Sequence, residues 1–124
     1  MRQENVQFFT DKEEEFAHLL INLGMKKNVA TILVFFTSNP EATSWEIEHA
    51  TDLRQPEVSI AMKYLIDQGW VKSHESHSEH KGRPMKVFGL AKPISRIMDS
   101  IETEKKNETK NQLALIGKLR DFLS

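Results

Sequence analysis

Residues 43–83 read TSWEIEHATDLRQPEVSIAMKYLIDQGWVKSHESHSEHKGR, and this stretch decides the fold of the 124-residue chain. Thr43 is suited to cap a short helix, because Glu46 follows three residues later and the two can form a capping box. The segment 51–54, Thr-Asp-Leu-Arg, interrupts the helical pattern and supplies a turn. Pro56 suits the first turn of a second helix, where its missing N–H would be unbonded anyway.

The second helix is predicted from the spacing of its apolar residues. Val58, Met62 and Leu65 recur at three- and four-residue steps, as one buried helical stripe requires. Gly69 ends the helix, because glycine accepts the left-handed conformation that is common just past a helix end. Two extended segments follow, at residues 70–75 and 84–90, joined by a polar loop. The pattern predicts a helix-turn-helix followed by a β-hairpin, or wing.

The ordered segments TSWEIEHATDL, RQPEVSIAMKYLIDQGWV and KGRPMKVFGLAKP resemble the MarR/TrmB-like winged helix-turn-helix transcriptional regulators. The similarity covers roughly residues 26–92. The resemblance implies a mainly α (α+β) fold with a small β-hairpin wing and a C-terminal dimerisation helix. It also implies that a small-molecule effector, which the sequence does not identify, can alter the spacing of two reading helices in a dimer.

Two residues depart from the pattern of that family. Glu48 stands where the family usually has a small alanine between the two helices, and Asp52 stands at the usual turn glycine. We expect Glu48 to stay at the surface, because burying an unpaired carboxylate is costly. We expect Asp52 to adopt the left-handed turn geometry, which aspartate tolerates.

The composition fits one soluble domain. Hydrophobic residues make up 39% and charged residues 28%, which is ordinary for a globular protein. The chain has no cysteine, no basic and apolar signal sequence at its start, and no apolar run long enough for a membrane span. We therefore expect a cytoplasmic protein that makes no membrane contact. Its predicted parts are an N-terminal helix (1–25), a winged-helix core (26–92) and a C-terminal dimerisation helix (93–124).

The charge distribution is uneven along the chain. The net charge of −1 is unusual for a nucleic-acid binder. Residues 54–92, however, hold seven lysines and arginines against four acidic residues, whereas residues 1–53 hold four against nine. The positive part coincides with the second helix and the wing, and DNA binding requires a local basic face rather than a basic protein.

Two helices are predicted before the helix-turn-helix. The first runs from about Lys12 to Leu23, capped by Thr10 or Asp11. Its apolar stripe consists of Phe16, Leu19, Leu20 and Leu23. The second, from Lys26 to Ser38, is apolar almost all round and therefore belongs in the middle of a core. Its β-branched run also fits a strand, but its length and the Asn39-Pro40 stop favour a helix.

The C-terminal segment begins with Pro93 and carries two apolar stripes separated by a polar run, 102–112. A single long helix keeps both stripes on roughly one side, because four of their members fall on sevenfold spacing. Two helices with a break near Asn107 are the alternative. A homodimer would bury the apolar surface. The predicted dimer interface consists of Phe16, Leu20, Ile94, Ile97, Ile101, Leu115, Leu119 and Phe122.

The second helix of the motif is the candidate reading helix for double-stranded DNA. Arg54 can donate to guanine, Gln55 can pair with adenine, and the exposed Ile60 can contact a thymine methyl group. The full set of predicted DNA-binding residues is Thr43, Ser44, Arg54, Gln55, Glu57, Ser59, Ile60, Lys63, Lys72, Lys81, Arg83 and Lys86. The alternative is that these are solvated helix residues without a partner.

The wing carries a second set of cations. Arg83 after Gly82 is similar to the Gly-Arg-Pro wing of many members of the family, in which such an arginine reaches the minor groove or the backbone. A narrow minor groove attracts arginine through its negative potential. The alternative is a solvated hairpin tip with no fixed contact.

Three histidines, His74, His77 and His80, are spaced three residues apart in the wing together with Glu75 and Glu79. Imidazoles and carboxylates can bind zinc or nickel, and they can equally belong to a polar loop that approaches phosphates. Because no cysteine supports a site and a loop orders ligands poorly, we expect no metal and no cofactor.

The sequence shows no catalytic motif. The five glycines are scattered, so no phosphate-binding loop is present, and nothing pairs a nucleophile with a base. We therefore expect a DNA-binding transcriptional regulator rather than an enzyme. Winged helices also serve as protein–protein interaction modules without sequence-specific DNA binding, and the near-neutral charge is compatible with that alternative.

Overall fold

The structure, a computed structural model, describes residues 9–76 and 85–124. Its elements in chain order are α1 (Asp11–Asn22), α2 (Lys27–Ser38), β1 (Glu41–Ala42), α3 (Ser44–Thr51), α4 (Gln55–Asp67), β2 (Val71–Ser76), β3 (Met85–Leu90) and α5 (Ile94–Asp121). The chain divides into two compact units, Met1–Ala91 and Lys92–Ser124. Within the described ranges, no helix is both long and apolar enough to cross a membrane.

The helix-turn-helix consists of α3 and α4, and its predicted caps are confirmed. The Thr43 hydroxyl accepts from the backbone N–H of Glu46 at 3.2 Å, while Glu46 Oε1 accepts from the N–H of Thr43 at 2.9 Å. Asp52 ends α3 in the left-handed conformation with φ of 60°. Glu48 is half-buried, so the expectation that it stays at the surface is met only in part.

The core of the first unit is built around α2, whose helical conformation excludes the strand alternative. Seven residues of α2 are buried on several sides of the helix, namely Val29, Ala30, Ile32, Leu33, Val34, Phe35 and Phe36. The helix contacts α1, α3 and α4, which explains why no side of it is polar. Ile47 of α3 and Leu65 of α4 are fully buried and fix the helix-turn-helix to the core.

The predicted apolar stripe of α1 is partly wrong. Leu20 is buried, but its buried companion is Ala17, while Leu19 and Leu23 are 56% and 50% exposed. Ala17 and Leu20 are three residues apart and so share a face of the helix, and the small alanine allows close approach to α2. Leu19 of α1 and its C-cap residue Leu23 are therefore left on the surface.

The wing belongs to a three-stranded antiparallel sheet with strand order β1-β3-β2. β2 pairs with β3 from Val71 opposite Leu90 to Ser76 opposite Met85. This confirms the predicted hairpin, with β2 shifted by one residue and β3 beginning one residue later than predicted. The extra strand β1 pairs Glu41 with Gly89 on β3. Two residues are too few to show an alternating pattern, so β1 could not be predicted from periodicity.

The second unit consists mainly of α5, a single helix of 28 residues. The break near Asn107 is therefore wrong. Every residue from 106 to 124 is exposed in the single chain. Five apolar residues at the end of α5 and just after it follow three- and four-residue spacing and are 45–86% exposed, namely Leu115, Ile116, Leu119, Phe122 and Leu123.

The first turn of α1 makes a pH-dependent contribution to stability. Hydrogen bonds from the Ser38 hydroxyl and the Thr10 backbone N–H hold the pKa of the Glu13 carboxyl below its ordinary value. A lowered pKa stabilises the folded chain above the ordinary pKa, and this contribution is lost as the pH falls through the folded value. We therefore expect Glu13→Gln to lower the melting temperature at neutral pH and to have little effect in acid.

The measurement is a series of thermal unfolding curves between about pH 7 and about pH 3. In a Ser38→Ala background, Glu13→Gln should change the melting temperature much less, because the Ser38 hydroxyl is the largest cause of the lowered pKa of Glu13. Melting curves of the parent and Glu13→Gln that stay parallel across the whole pH range would contradict the assignment.

Candidate nucleic-acid interface

One open groove brings together five of the residues predicted to bind DNA. The groove has a volume of about 520 Å³ and lies between α4, β3 and the start of α3. The five are Ser44, Gln55, Ser59, Lys63 and Lys86, and Val58, Met62, Ile66, Asp67 and Phe88 complete the lining. Amide, hydroxyl and ammonium groups therefore surround an apolar floor, with two lysines and one aspartate at its edges.

The orientation of α4 puts its polar side outward. Val58, Ala61, Met62 and Leu65 are buried, which follows the predicted stripe with Ala61 added. Gln55, Glu57, Ser59 and Lys63 are exposed. Ile60 is 74% exposed and Tyr64, one turn further, is 40% exposed. This side of α4 is thus mixed, with exposed apolar groups beside hydrogen-bonding ones.

Hydrogen bonds within α4 order several of these side chains. Gln55 Nε2 donates to Ser59 Oγ at 2.7 Å, and Lys63 Nζ lies 3.0 Å from Asp67 Oδ2. Glu57 Oε1 accepts from the backbone N–H of Arg54 at 2.9 Å. The last contact closes the start of α4, so the carboxylate of Glu57 has a structural use besides any contact with a base. Arg54 is left exposed beside the helix N-terminus.

The start of α3 contributes two half-buried residues, Thr43 and Ser44. The Thr43 hydroxyl accepts a hydrogen bond in the α3 cap, but a hydroxyl can accept and donate at once. Its O–H thus keeps a donor for a phosphate oxygen. Only Ser44 of the two lines the groove.

The two wing lysines that the structure describes lie on opposite faces of the sheet. Lys86 pairs with Glu75 and lies on the groove side with Phe88, whose ring centroid is 5.8 Å from its Nζ atom. Lys72 pairs with Gly89, which is three residues after Lys86 on β3. Because successive side chains of a strand point to opposite faces, Lys72 lies on the face opposite to Lys86. Lys72 is exposed but does not line the groove. Lys81 and Arg83 lie outside the described residues.

Several solved structures of transcriptional regulators align with most of this chain. A possible transcriptional regulator from Methanosarcina mazei Go1 aligns over 77% of this chain and 82% of its own, with 13% identity and a TM-score of 0.57. A MarR family regulator from Neisseria meningitidis aligns over 81% and 68%, with 18% identity and a TM-score of 0.51. A transcriptional regulator homologue from Pyrococcus horikoshii OT3 aligns over 82% and 97%, with 16% identity and a TM-score of 0.50.

The chain has a MarR-like winged-helix fold. No protein-family profile matches it, and no curated protein matches it by sequence. With identities of 13–18%, the likeness shows the fold and leaves the function to be argued from the side chains. The sequence-based expectation of a winged helix-turn-helix is confirmed.

The histidines of the winged helix are only partly described. His74 lies on β2 with Nε2 at 3.5 Å from Glu41 Oε2, a contact that becomes an ion pair when the imidazole is protonated. His77 and His80 fall outside the described residues. In the ranges 9–76 and 85–124, no three metal-ligating side chains come together.

The residues predicted for the dimer interface fall into two groups. Leu20, Ile97 and Ile101 are buried within the single chain and offer almost no surface to a second copy. Phe16 and Ile94 are half-buried. Leu115, Leu119 and Phe122 are 58%, 64% and 86% exposed. The accessible part of the predicted interface is therefore at the C-terminal end of α5.

Sequence reasoning missed several groove residues of the winged helix, most clearly Asp67 and Phe88. Asp67 could have been found from its position four residues after Lys63 on an exposed helix side, a spacing that favours ion pairs. The sequence pattern places Phe88 on the returning strand and does not indicate that it lines a groove. Its place in the groove depends on the β2–β3 register, which the sequence does not fix.

Proposed function

We propose that the protein is a sequence-specific DNA-binding transcriptional regulator that acts in the cytoplasm as a homodimer on a pseudo-palindromic operator. The observation that carries the proposal is the groove, in which Gln55 and Ser59 of α4 lie with Lys63 and with Lys86 of the wing. A reading helix of this kind enters the major groove of DNA with its N-terminal residues against base edges.

The proposed roles of the DNA-binding residues, in the groove and beside it, follow from their chemistry. Gln55 can pair in bidentate fashion with adenine, and its hydrogen bond to Ser59 holds the amide in place. Ile60, which is 74% exposed, contacts a thymine methyl group. Arg54 can donate to a guanine edge. Lys63 and Lys86 neutralise phosphates, which supplies affinity without sequence preference. Lys81 and Arg83 remain predicted wing contacts of the same kind.

The proposal of a homodimer depends on the exposed apolar residues of α5. Leu115, Leu119 and Phe122, with their neighbours Ile116 and Leu123, form a stripe that is solvated in one chain. A second copy would cover it by a two-fold interface. Leu19 of α1 and its C-cap residue Leu23 are further exposed apolar residues, on the first unit. Two-fold symmetry would then place two reading helices on half-sites about one helical turn of DNA apart.

A protein-interaction module is the second candidate function. The observation that favours it is the exposed pair Ile60 and Tyr64, one turn apart on α4. Exposed apolar groups with few cations suit a protein partner. The two candidates differ in their response to salt, because only the DNA contact releases condensed counterions.

The test is fluorescence anisotropy of the purified chain with random-sequence duplex DNA across a salt series. We expect binding that weakens steeply with salt. Lys86→Ala should weaken binding to all sequences and reduce the salt slope by about 1. Gln55→Ala should instead lower the affinity only for sites with adenine at the contacted position, by about 1–3 kcal/mol.

Lys12→Ala is the matched control, because Lys12 is an exposed lysine of α1 that does not line the groove. It should leave the salt slope nearly unchanged. Equal and sequence-independent effects of Lys86→Ala and Gln55→Ala would contradict the assigned roles. No binding even at low salt would favour the protein-interaction module.

A further inference from the structure

A second cleft, of about 610 Å³, has no part in the proposed DNA contact. It is lined by Phe35, Ser38 and Asn39 at the end of α2, by Glu41 and Ala42 of β1, and by Trp45, Glu46, His49 and Ala50 of α3. Phe35 and Ala42 are buried and provide an apolar floor. Clefts of this size with an apolar floor and a few converging polar groups are typical small-molecule sites.

An exposed aromatic wall bounds this cleft. Trp45 is 64% exposed, although an indole ring is among the most favourable groups to bury. Its ring stacks on His49 with centroids 3.8 Å apart and an interplanar angle of 26°. His49 Nδ1 lies 2.8 Å from the backbone oxygen of Trp45, which can only accept, so Nδ1 carries the donated proton. The two rings thus form one stacked aromatic pair at the cleft.

The carboxylates in the lining give the cleft a negative charge. Its described lining includes two carboxylates, Glu41 and Glu46, and neither lysine nor arginine. A third carboxylate, Glu13, accepts from the Ser38 hydroxyl at the edge of the cleft. Glu41 has a side chain that is 59% exposed, and its Oε2 atom lies 3.5 Å from His74 Nε2. Glu46 uses Oε1 for the α3 cap, and a carboxylate retains acceptor capacity at its second oxygen.

We propose that this cleft binds an organic cation, such as a quaternary or aromatic ammonium compound. The face of Trp45 would supply a cation–π contact, for which tryptophan is the best of the aromatic side chains. Glu41 and Glu46 would supply the opposite charge, and Phe35 and Ala42 would contact the apolar substituents. The two carboxylates would repel an anion of the same size. A neutral compound would have neither the cation–π contact nor the attraction to the carboxylates.

The site is next to the DNA groove in the chain but distinct from it. Ser44 lines the groove, while the following residues, Trp45 and Glu46, line the cleft. Binding of the cation is measured without DNA, so its outcome is independent of the proposed function.

The experiment is isothermal titration calorimetry of the full chain with benzyltrimethylammonium, and with benzyl alcohol and benzoate as neutral and anionic probes. We expect saturable binding of the cation, weaker binding of the alcohol and no binding of benzoate. Trp45→Leu, which keeps an apolar side chain but removes the π face, should weaken cation binding about 5- to 30-fold. Trp45→Phe should restore part of the affinity.

Glu41→Gln tests the charge without removing the aromatic wall and should weaken cation binding severalfold at low ionic strength. Glu75→Gln is its matched control, because Glu75 pairs with Lys86 on the other face of the sheet. It should leave the affinity unchanged. Absence of saturable cation binding, equal binding of the three probes, or unchanged affinity in both Trp45→Leu and Glu41→Gln would overturn the proposal.

Discussion

Alanine at position 89 is expected to destabilise the first unit by about 1–3 kcal/mol and to detach β1 from the sheet. A Cβ atom on Gly89 would lie 2.5 Å from the backbone oxygen of Pro40 and 3.6 Å from Cγ of Glu41. A backbone oxygen cannot rotate away as a side chain can, so the segment that carries Pro40 must move. Gly89 is buried and pairs with Glu41 on one side and Lys72 on the other.

The consequence of Gly89→Ala differs between the two sites. β1 supplies Glu41 and Ala42 to the cation cleft, whereas the DNA groove is lined by α4, β3 and Ser44. Displacement of β1 should therefore impair cation binding more than DNA binding. Urea denaturation would measure the loss of stability, and hydrogen exchange of the Glu41 and Ala42 amides would report the loss of strand pairing.

Gly117→Ala provides the control for Gly89→Ala. Gly117 lies in α5, and a Cβ atom there would meet nothing within 4 Å. Alanine is favoured over glycine in a helix by about 1 kcal/mol, so this variant should be neutral or slightly stabilising. Similar destabilisation by the two alanines would show that the contact with Pro40 is not the cause.

The helix-turn-helix could be predicted from the sequence because its signals are local. The Thr43–Glu46 capping box lies within four consecutive residues, and the buried stripe of α4 follows from one helical period. The left-handed turn at Asp52 could also be predicted, because it depends mainly on which residue types tolerate that conformation. These features were predicted at their correct positions.

The remaining features depend on contacts between segments that are distant in sequence. Exposure of Leu19 and burial of Ala17 are decided by the face of α1 that meets α2, and both residues fit a helix equally well. The position of Lys72 away from the groove follows from the strand register. The cation cleft joins the end of α2, β1 and α3, and no spacing in the sequence relates Phe35 to Glu41 and Trp45.

Paired aspartates at positions 119 and 122 are expected to convert the proposed homodimer into a monomer and to weaken operator binding by at least about 100-fold. Leu119 and Phe122 are 64% and 86% exposed and lie on the apolar stripe of α5. Two charges placed in a buried interface without partners would oppose association strongly. The variant should still fold, because neither side chain is buried in the single chain.

The DNA affinity is lost because a monomer binds only one half-site, not because the reading helix is damaged. A dimer binds its second half-site at a high effective concentration, an advantage of about 100-fold to 10,000-fold that a monomer lacks. Light scattering coupled to size exclusion would measure the mass, and anisotropy would compare a full operator with a single half-site. Affinity for the half-site should be nearly equal in the parent and Leu119→Asp/Phe122→Asp.

The matched control adds two charges to the other side of α5. Thr103 and Ala114 are exposed and fall opposite the apolar stripe at the helical spacing of 3.6 residues per turn. Thr103→Asp/Ala114→Asp should therefore remain dimeric and retain operator affinity. A dimer that persists in Leu119→Asp/Phe122→Asp would contradict the proposed interface, whereas loss of the dimer in both variants would point to added charge in general. Dissociation in the first variant alone would tie two-fold DNA recognition to the apolar stripe at the end of α5, because the two variants carry the same change in charge and only the first places it on that stripe.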